Sequence, residues 1–188
     1  MDPIQVSIRR HEGKELVDAV LRDLDPVADL KCWEEQWQPM LRHSNEEDRP
    51  WNWSDKYMEL QTVNYEFYSL ECEEATQGMM VIDTDFHRTR SSNLNLVYVS
   101  FLATAPWNRH EIGTPRFRRV GPLLLRHAVV RSEELGYKFR TGLHSLPGSE
   151  WFYDELGLES YGPDPDLSNM RYYEFSEATG KAFVEGGR

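Results

Sequence analysis

The sequence predicts a single domain of the mixed α/β (α+β) class, with a mostly antiparallel sheet of about six or seven strands and helices on both faces. The chain has 188 residues, a length typical of one domain. Segments that alternate apolar and polar residues, as strands do, are interspersed with segments of helical spacing. A block of strands comes before a strand–loop–helix–strand order, which favours this class over an all-helical bundle.

The first third of the chain is predicted to be mainly helical. Residues 4–9 alternate and predict a short strand, whereas residues 14–24 and 26–43 have apolar positions at helical spacing. Residues 43–54 are polar and contain Pro50, which indicates a loop, and a short helix is expected over 54–61.

Three segments of alternating apolar and polar residues follow, and after them predicted helices alternate with predicted strands. Short turns join the three segments, which predicts an antiparallel meander. The expected elements are strands over 65–73, 78–83 and 93–105, a helix over 122–136, a strand over 139–145, a short helix over 149–156 and a final strand over 170–176.

Charge is unevenly distributed along the chain. Lys and Arg number 21 and Asp and Glu 32, so the net charge is −11, which argues against a general nucleic-acid binder or a polybasic membrane-surface protein. Residues 1–76 hold 18 acidic and 8 basic residues, whereas residues 109–140 hold 8 basic and 3 acidic residues. Two solvated faces are the alternative explanation of this asymmetry.

Other classes are excluded by what the sequence lacks. No apolar run approaches the roughly 20 residues needed to span a bilayer, and the first residues show no basic segment followed by an apolar one. Cys32 and Cys72 form neither a disulfide framework nor a metal-ligand pair. We therefore expect a cytoplasmic protein without a metal, which binds neither nucleic acid nor membrane.

The basic segment contains a candidate anion-binding loop. A strand, a basic loop and a helix follow one another, and the free N–H groups of a helix N-terminus attract anions. Gly121 permits close approach of a ligand, Pro122 suits the first helical position, and Arg116, Arg118 and Arg119 supply positive charge. Neither the Walker A ending nor the three glycines of the Rossmann fingerprint are present.

This loop resembles the central motif of the GNAT N-acetyltransferase superfamily, Gln/Arg-x-x-Gly-x-Gly/Ala. Arg116 and Gly121 match the first and last positions, whereas Arg119 replaces the first glycine. An arginine there must adopt ordinary dihedral angles or bear a strain cost. The resemblance implies that acetyl-CoA is the co-substrate and that backbone amides of this loop bind its pyrophosphate.

Other segments support the resemblance, which covers residues 64–176. Residues 102–106 (Leu-Ala-Thr-Ala-Pro) resemble the end of the family's fourth strand, which binds pantetheine. Residues 149–157 resemble the family's Asn-x-x-(x)-Phe-Tyr-x-x-x-Gly-Phe helix, whose tyrosine protonates the CoA thiolate. The resemblance thus implies Tyr153 as the catalytic acid. The implied CoA-binding residues are Leu102, Ala103, Thr104, Arg116, Phe117, Arg118, Arg119, Val120, Gly121, Ser149 and Phe152.

The implied function is transfer of an acetyl group from acetyl-CoA to a primary amine by direct attack in a ternary complex. Residues 1–188 then form one acyltransferase-like domain, with residues 64–176 as the CoA-binding core and residues 1–63 as a helical acceptor-side part. The acidic first part favours a cationic acceptor, which is a small-molecule or peptide amine. A monomer or a homodimer is expected. The alternative is a non-catalytic acyl-CoA-binding or protein-interaction module, motivated by Arg119.

Several residues have two interpretations. Tyr153 is either the acid or a core residue. The candidate general bases have a structural alternative as solvated carboxylates or a structural histidine, and they are Glu71, Glu73, Asp83, Asp85 and His144. Trp33 and Trp37 are expected in the core, whereas Trp51 and Trp53 line an acceptor pocket or pack. Arg109 binds a phosphate or forms a loop salt bridge.

Overall fold

Nine strands make up a mixed sheet in the structure, a computed structural model that describes residues 1–85 and 87–186. Positions 86, 187 and 188, which the predicted domain includes, lie outside the described residues. The strands are β1 (Ile4–Arg10), β2 (Leu16–Asp23), β3 (Tyr65–Cys72), β4 (Ala75–Asp83), β5 (Val97–Thr104), β6 (Phe117–Arg118), β7 (Thr141–Ser145), β8 (Glu159–Asp164) and β9 (Met170–Phe175). Their order is β6-β1-β2-β3-β4-β5-β7-β9-β8.

Among the described residues, six α-helices connect or flank these strands. They are α1 (Ala28–Cys32), α2 (Gln38–Leu41), α3 (Trp53–Glu59), α4 (Val120–Glu134), α5 (Glu150–Leu156) and α6 (Glu177–Glu185). A π-helical turn over Trp33–Trp37 joins α1 to α2, so residues 28–41 are helical throughout. Within the described part of the chain, no helix has the length and apolar character that crossing a membrane requires.

The expected six or seven strands are too few, and the predicted helix over residues 14–24 is wrong. Val17, Val20 and Leu21 fit helical spacing, but this segment is β2, which pairs antiparallel with β1 from the Ile4–Leu21 pair to the Arg9–Leu16 pair. A turn at residues 11–13 lies in the connection between the two strands. The pairing with β1 gives the backbone a partner that periodicity in one segment does not reveal, and tertiary pairing overrides local spacing.

β6 and β8 were also absent from the sequence prediction. β6 has only two residues, paired with Arg9 and Arg10, which is too short to show alternation. β8 contains Gly162 and Pro163, and its register with β9 shifts between Ser160 and Pro163. A bulge of this kind interrupts the two-residue period on which strand prediction depends. The other predicted strands and helices are present, with ends shifted by a few residues.

The chain divides into two compact units. The first unit comprises residues 1–81 and 101–124. Its core packs α1, the π-helical turn, α2 and α3 with residues of β4 and β5. The buried residues are Leu24, Leu30, Cys32, Trp33, Trp37, Leu41, Trp53, Met79, Val81, Ala103, Ala105 and Trp107. Trp33 and Trp37 are therefore core residues, as predicted.

The second unit comprises residues 82–100 and 125–186. Leu125, Ala128 and Val129 of α4 are buried, as are Leu143 of β7 and Phe175 of β9. The Phe175 ring stacks on Phe183 of α6 at 4.9 Å between centroids. The unit therefore has an apolar core of its own.

Gly78 permits a close approach of α4 to the sheet within the first unit. A Cβ atom on Gly78 would lie 2.6 Å from Cγ1 of Val120, 2.8 Å from Cδ1 of Leu124 and 3.2 Å from the Ala103 carbonyl oxygen. The first two distances are shorter than van der Waals contact, so any larger residue here would force the side chains of Val120 and Leu124 to move. The N-terminus of α4 is positioned by this contact.

We expect Gly78→Ala to destabilise the protein by about 1–3 kcal/mol, because overpacking forces neighbouring side chains and backbone to move. Urea unfolding at constant m-value measures the change. Gly113→Ala is the matched control, since its Cβ would meet nothing within 4 Å. Equal stability of the two variants would contradict this account of the helix position.

Candidate functional site

Gln77 of β4 anchors the segment that leads from β5 to the basic loop. Its side-chain carbonyl accepts hydrogen bonds from Nε1 of Trp107 at 2.8 Å and from Nδ2 of Asn108 at 3.0 Å. Its backbone carbonyl accepts from the N–H of Ala105 at 2.8 Å. The chain after β5 is thereby tied to the neighbouring strand.

This anchored segment in turn binds the start of the basic loop. The N–H of Arg116 donates to the Trp107 carbonyl at 2.8 Å, and the N–H of Phe117 donates to Oδ1 of Asn108 at 3.0 Å. Val120 and Gly121 instead open α4, where backbone N–H groups have no acceptor within the helix. Of the predicted pyrophosphate-binding amides, Phe117 is already engaged, whereas Val120 and Gly121 hold the helix-terminal positions that favour an anion.

Arg119 has the left-handed backbone conformation that a glycine normally supplies. Its φ is +76°, and its carbonyl accepts from the N–H of Leu123 at 3.1 Å, which makes it the residue that opens α4. Left-handed geometry costs a residue with a Cβ atom roughly 1–2 kcal/mol. Of the two possibilities raised by the sequence, ordinary dihedral angles are excluded, and the loop keeps its glycine-type geometry with strain.

Arg116 and Arg118 are exposed, whereas Phe117 between them is buried. The guanidinium of Arg116 lies 5.5 Å from the centroid of the Trp107 ring. Nε of Arg118 donates to Nδ1 of His11 at 2.8 Å. Two cationic side chains of the predicted loop are thus accessible beside the N-terminus of α4, where an anionic ligand gains from both the helix dipole and the arginines.

Arg109 forms the loop salt bridge rather than an open phosphate contact. Its Nη1 lies 2.7 Å from Glu46 and 2.7 Å from Asp48, and its Nε donates to the carbonyl of Thr104 at 2.9 Å. The side chain is only 10% exposed. Burial lowers the pKa of Arg109, but hydrogen bonds and charge from Asp48 and Glu46 outweigh it, so the pKa is raised. The Thr104 end of β5 is thereby held in place.

Leu102, Ala103 and Thr104 lie at the end of β5, as predicted, in the first unit. In the second unit, the parallel ladder between β5 and β7 covers three pairs and ends at Val99–Leu143. β5 itself continues for five residues past Val99. An extended strand that outruns its ladder presents backbone N–H and C=O groups for an extended ligand.

Ser149, Phe152 and Tyr153 lie in the second unit, where α5 ends at Gly157 with a φ of +81°. Tyr153 is 7% exposed, and its ring centroid lies 5.6 Å from that of Tyr173 and 5.0 Å from that of Phe152. Burial raises the pKa of Tyr153 well above its usual value, so the phenol is protonated at neutral pH. A protonated phenol is the form that a general acid requires.

The candidate bases have different surroundings. Glu71 accepts from Nη2 of Arg22 at 2.9 Å, and Glu73 pairs with Arg10. Asp85 is exposed at the surface. In the second unit, Asp83 lies 3.0 Å from Nε2 of His87.

His144 is hydrogen-bonded through both ring nitrogens. Nδ1 lies 2.7 Å from the hydroxyl of Tyr98, and Nε2 lies 3.2 Å from Asp164. Sequence reasoning named His144 and Asp83 but missed His87, Tyr98 and Asp164. Tyr98 was placed on the correct strand, so it could have been paired with His144, but Asp164 belongs to β8, a strand that was not predicted.

Trp51 and Trp53 have different environments. Trp53 is buried in the core, whereas Trp51 is half-buried and packs edge-on against Phe101 at 5.1 Å. Nζ of Lys56 lies 3.4 Å from the Phe101 ring centroid and 5.1 Å from Trp51, and burial lowers the pKa of this lysine. Phe101 immediately precedes Leu102, so these aromatic rings adjoin the end of β5.

No group of three or more His, Cys, Asp or Glu side chains in residues 1–85 and 87–186 could hold a metal ion.

Known proteins resemble this chain in structure only. No protein-family model matches it, and no curated protein does. The GNAT domain of S. lividans PAT is 14% identical, with a TM-score of 0.62 over 92% of this chain and 96% of that one. A tyrosine-to-phenylalanine variant of the toxin AtaT, bound to the C-terminus of the antitoxin AtaR and acetyl-CoA, is 15% identical, with a TM-score of 0.57 over 87% and 96%.

The chain has the GNAT acetyltransferase fold. The ribosomal-protein-S18-alanine N-acetyltransferase from Escherichia coli is a further similar structure, at 14% identity and a TM-score of 0.51 over 83% of this chain and 90% of that one. The GNAT resemblance read from residues 64–176 is thereby confirmed at the level of the fold.

We expect Arg119→Gly to be more stable than Arg119→Ala by about 1 kcal/mol, because both lose the guanidinium but only glycine relieves the left-handed strain. Thermal or urea unfolding of the two variants measures the difference. Lys14, also left-handed at φ +59°, provides a second site for the same comparison. Greater stability of the alanine variant would contradict the conformation found at Arg119.

We expect Asp48→Asn to lower the free energy of unfolding by about 2 kcal/mol or more, because removing one carboxylate from a buried ion cluster leaves Arg109 incompletely neutralised. Glu35→Gln is the control, since Glu35 pairs with Lys31 on the surface at 3.9 Å. It should change stability by less than about 0.5 kcal/mol. Similar small effects of both variants in urea unfolding would show that the buried cluster does not hold Thr104.

Proposed function

We propose that the protein is an acetyl-CoA-dependent N-acetyltransferase that moves the acetyl group to a primary amine by direct attack in a ternary complex. The observation that carries the proposal is the left-handed Arg119 at the start of α4. Its positive φ is a conformation typical of glycine, the residue that the GNAT motif has at this position, and this supports the resemblance of the loop to that motif. The GNAT fold of the whole chain supports the same function at low sequence identity.

In this proposal the pyrophosphate binds at the N-terminus of α4. The N–H groups of Val120 and Gly121 donate to its oxygens, and Arg116 and Arg118 neutralise its charge. Gly78 keeps this helix end close to the sheet. The net positive charge of residues 109–140 thus serves one small polyanion rather than a nucleic acid.

The backbone of residues 102–104 takes the pantetheine and polarises the thioester carbonyl. Fixed N–H donors stabilise the negative charge that develops on the carbonyl oxygen when the amine attacks. The proposed acid is Tyr153, which donates its proton to the departing thiolate. Ser149 and Phe152 of the same segment are the further proposed CoA-binding residues. The same scheme predicts that a metal has no role and that acetyl-CoA is the co-substrate.

The proposed acceptor is a cationic small molecule or peptide amine. The acidic residues that dominate the first 76 positions favour cations near the protein. The half-buried rings of Trp51 and Phe101 already bind the ammonium of Lys56, and an acceptor amine has the same chemistry. A cytoplasmic location, a monomeric or homodimeric state, and residues 1–63 as the acceptor-side part of one domain remain predictions.

The proposal is tested by calorimetric titration of acetyl-CoA, followed by CoA-thiol release with spermidine, kanamycin and a lysine peptide that has a free α-amine. Binding together with amine-dependent thiol release is expected. Binding without release for any amine would favour the non-catalytic module. The replacement of glycine by Arg119 was the reason to consider that module. Arg119 has a backbone conformation typical of glycine, so this reason no longer favours it. Absence of binding would contradict both functions.

We expect Tyr153→Phe to lower kcat by about 100-fold, because the thiolate then leaves without a proton donor. The Kd for acetyl-CoA should stay within twofold, since the ring is retained. Tyr173→Phe is the control, as it removes a hydroxyl from the ring packed on Tyr153 and should leave kcat unchanged. A Tyr153→Phe enzyme with wild-type kcat would show that this residue is a core tyrosine.

A further inference from the structure

Two aspartate–histidine pairs converge on Tyr98 in the second unit. Nε2 of His87 lies 3.0 Å from Asp83, and the His87 ring stacks on the Tyr98 ring at 4.4 Å with an interplanar angle of 12°. The hydroxyl of Tyr98 lies 2.7 Å from Nδ1 of His144, whose Nε2 lies 3.2 Å from Asp164. The acetyl transfer described so far uses none of these five side chains.

His144 is positioned as a neutral imidazole. Its side chain is 7% exposed. Burial lowers the pKa of His144 below its ordinary value of 6.5, although Asp164 opposes the change. The neutral ring has one nitrogen that donates and one that accepts a hydrogen bond. The partners of the two nitrogens therefore decide which one carries the hydrogen.

Asp164 decides the tautomer, because an ionised carboxylate only accepts hydrogen bonds. The backbone N–H of Asp166 donates to Asp164 at 3.0 Å, and Arg90 pairs with it. The hydrogen bond from Asp166, together with those from His144 and Arg90, lowers the pKa of Asp164. Nε2 of His144 thus carries the hydrogen toward Asp164, and Nδ1 accepts the hydroxyl hydrogen of Tyr98.

The result is a directed chain from Tyr98 through His144 to Asp164. Such a chain can take a proton at the tyrosine oxygen while the hydroxyl proton moves to the histidine, and the carboxylate stabilises the imidazolium. Stacking on His87 fixes the plane of the Tyr98 ring. The chain could therefore remove a proton from a molecule that reaches the Tyr98 hydroxyl.

We propose that Tyr98 accepts the proton of the attacking acceptor amine, with His144 and Asp164 as positioning residues; this inference rests on the proposed acetyl transfer. Tyr98 lies on β5, the strand whose residues 102–104 are proposed to bind pantetheine. Tyr98 precedes Leu102 by four residues on this continuous strand, so the proposed proton acceptor and the proposed pantetheine-binding backbone belong to one element.

The step balances in protons and electrons. The amine nitrogen uses its lone pair to form the new C–N bond, and the C–S bond breaks with its electron pair on sulfur. The amine proton moves to the Tyr98 oxygen, directly or through water, as the Tyr98 hydroxyl proton moves to Nδ1 of His144. Tyr153 protonates the thiolate. Solvent then takes the proton from His144 and returns one to Tyr153, which leaves an amide and free CoA.

The ionisable groups that face His144 come from four parts of the chain. They are Tyr98 of β5, Asp164 of β8, Tyr172 of β9, and Arg90 and His87 of the connection between β4 and β5. Only Asp164 favours the imidazolium, whereas burial, Arg90 and His87 oppose it. When acid protonates Nδ1, Tyr98 loses its proton acceptor. The rate should therefore fall as pH falls through a pKa below 6.5.

The test measures kcat for Tyr98→Phe, His144→Gln and the double variant between pH 5.5 and 9.5. The amine is the one from the panel above with the fastest wild-type CoA release. We expect each single variant to lose about 100-fold in kcat at pH 7, as for loss of a general base. The loss should shrink toward pH 9.5, where hydroxide ion can take the proton that the attacking amine loses. The double variant should lose no more than either single variant, because the residues act as a unit.

Acetyl-CoA binding and a matched control variant distinguish loss of the proton acceptor from misfolding of the variants. The Kd for acetyl-CoA should stay within twofold of wild type. Tyr161→Phe is the control, because its hydroxyl donates to Glu159 at 3.3 Å and does not contact His144. It should retain wild-type kcat and pH profile. Nitrogen-15 NMR of the wild-type protein should show hydrogen on Nε2 of His144, and hydrogen on Nδ1 would overturn the proposal whatever the variants do.

The outcomes distinguish the two proposals. Suppose that the wild-type protein releases CoA. If Tyr98→Phe then has wild-type kcat, or loses kcat by the same factor at pH 6.5 and 9.5, the proton-accepting role alone is overturned. Wild-type protein that releases no CoA with any amine would overturn the proposed function and this role together.

Discussion

The contact of α4 with the sheet at Gly78 is the constraint on which the candidate site depends. Because position 78 lacks a side chain, Val120 and Leu124 approach the backbone of β4 and β5 closely. That approach determines where the unsatisfied N–H groups of the helix N-terminus lie. The left-handed Arg119 then turns the chain into the helix at this position. An arginine in a conformation normally taken by glycine indicates that the geometry is maintained at a cost in strain.

A buried polar network transmits this constraint to the end of β5. Gln77, the neighbour of Gly78, binds Trp107 and Asn108, and Asn108 receives the N–H of Phe117. Arg109 connects Thr104 to two carboxylates, those of Glu46 and Asp48 in the loop between α2 and α3. Every polar group named here has a partner, so the network specifies one arrangement of the loop rather than several. The basic residues of positions 109–140 thus divide into structural and accessible arginines.

Much of the fold could be predicted from periodicity, and the failures have physical causes. Helix α4, strand β5 and helix α5 have long or well-punctuated patterns, and the sequence located them within a few residues. β2 was predicted as a helix because its apolar spacing fits both structures, and only pairing with β1 decides between them. β8 was not predicted, because a register shift between Ser160 and Pro163 interrupts the alternation expected of a strand. The nine-stranded sheet follows from pairings that no single segment encodes.

The sequence by itself determined the chemistry available: a basic loop before a helix, a tyrosine on a glycine-ended helix, and a strand end suited to an extended ligand. These are local features, and the spacing of residues within one segment can be recognised from the sequence alone. Only the tertiary structure decided that Arg119 is left-handed, that Arg109 is structural, and that Tyr98, His144 and Asp164 form one hydrogen-bonded chain. In the sheet β5 lies beside β7, although β6 and α4 separate them along the chain, and β9 lies between β7 and β8. Strand pairing therefore brings together side chains that are far apart in sequence.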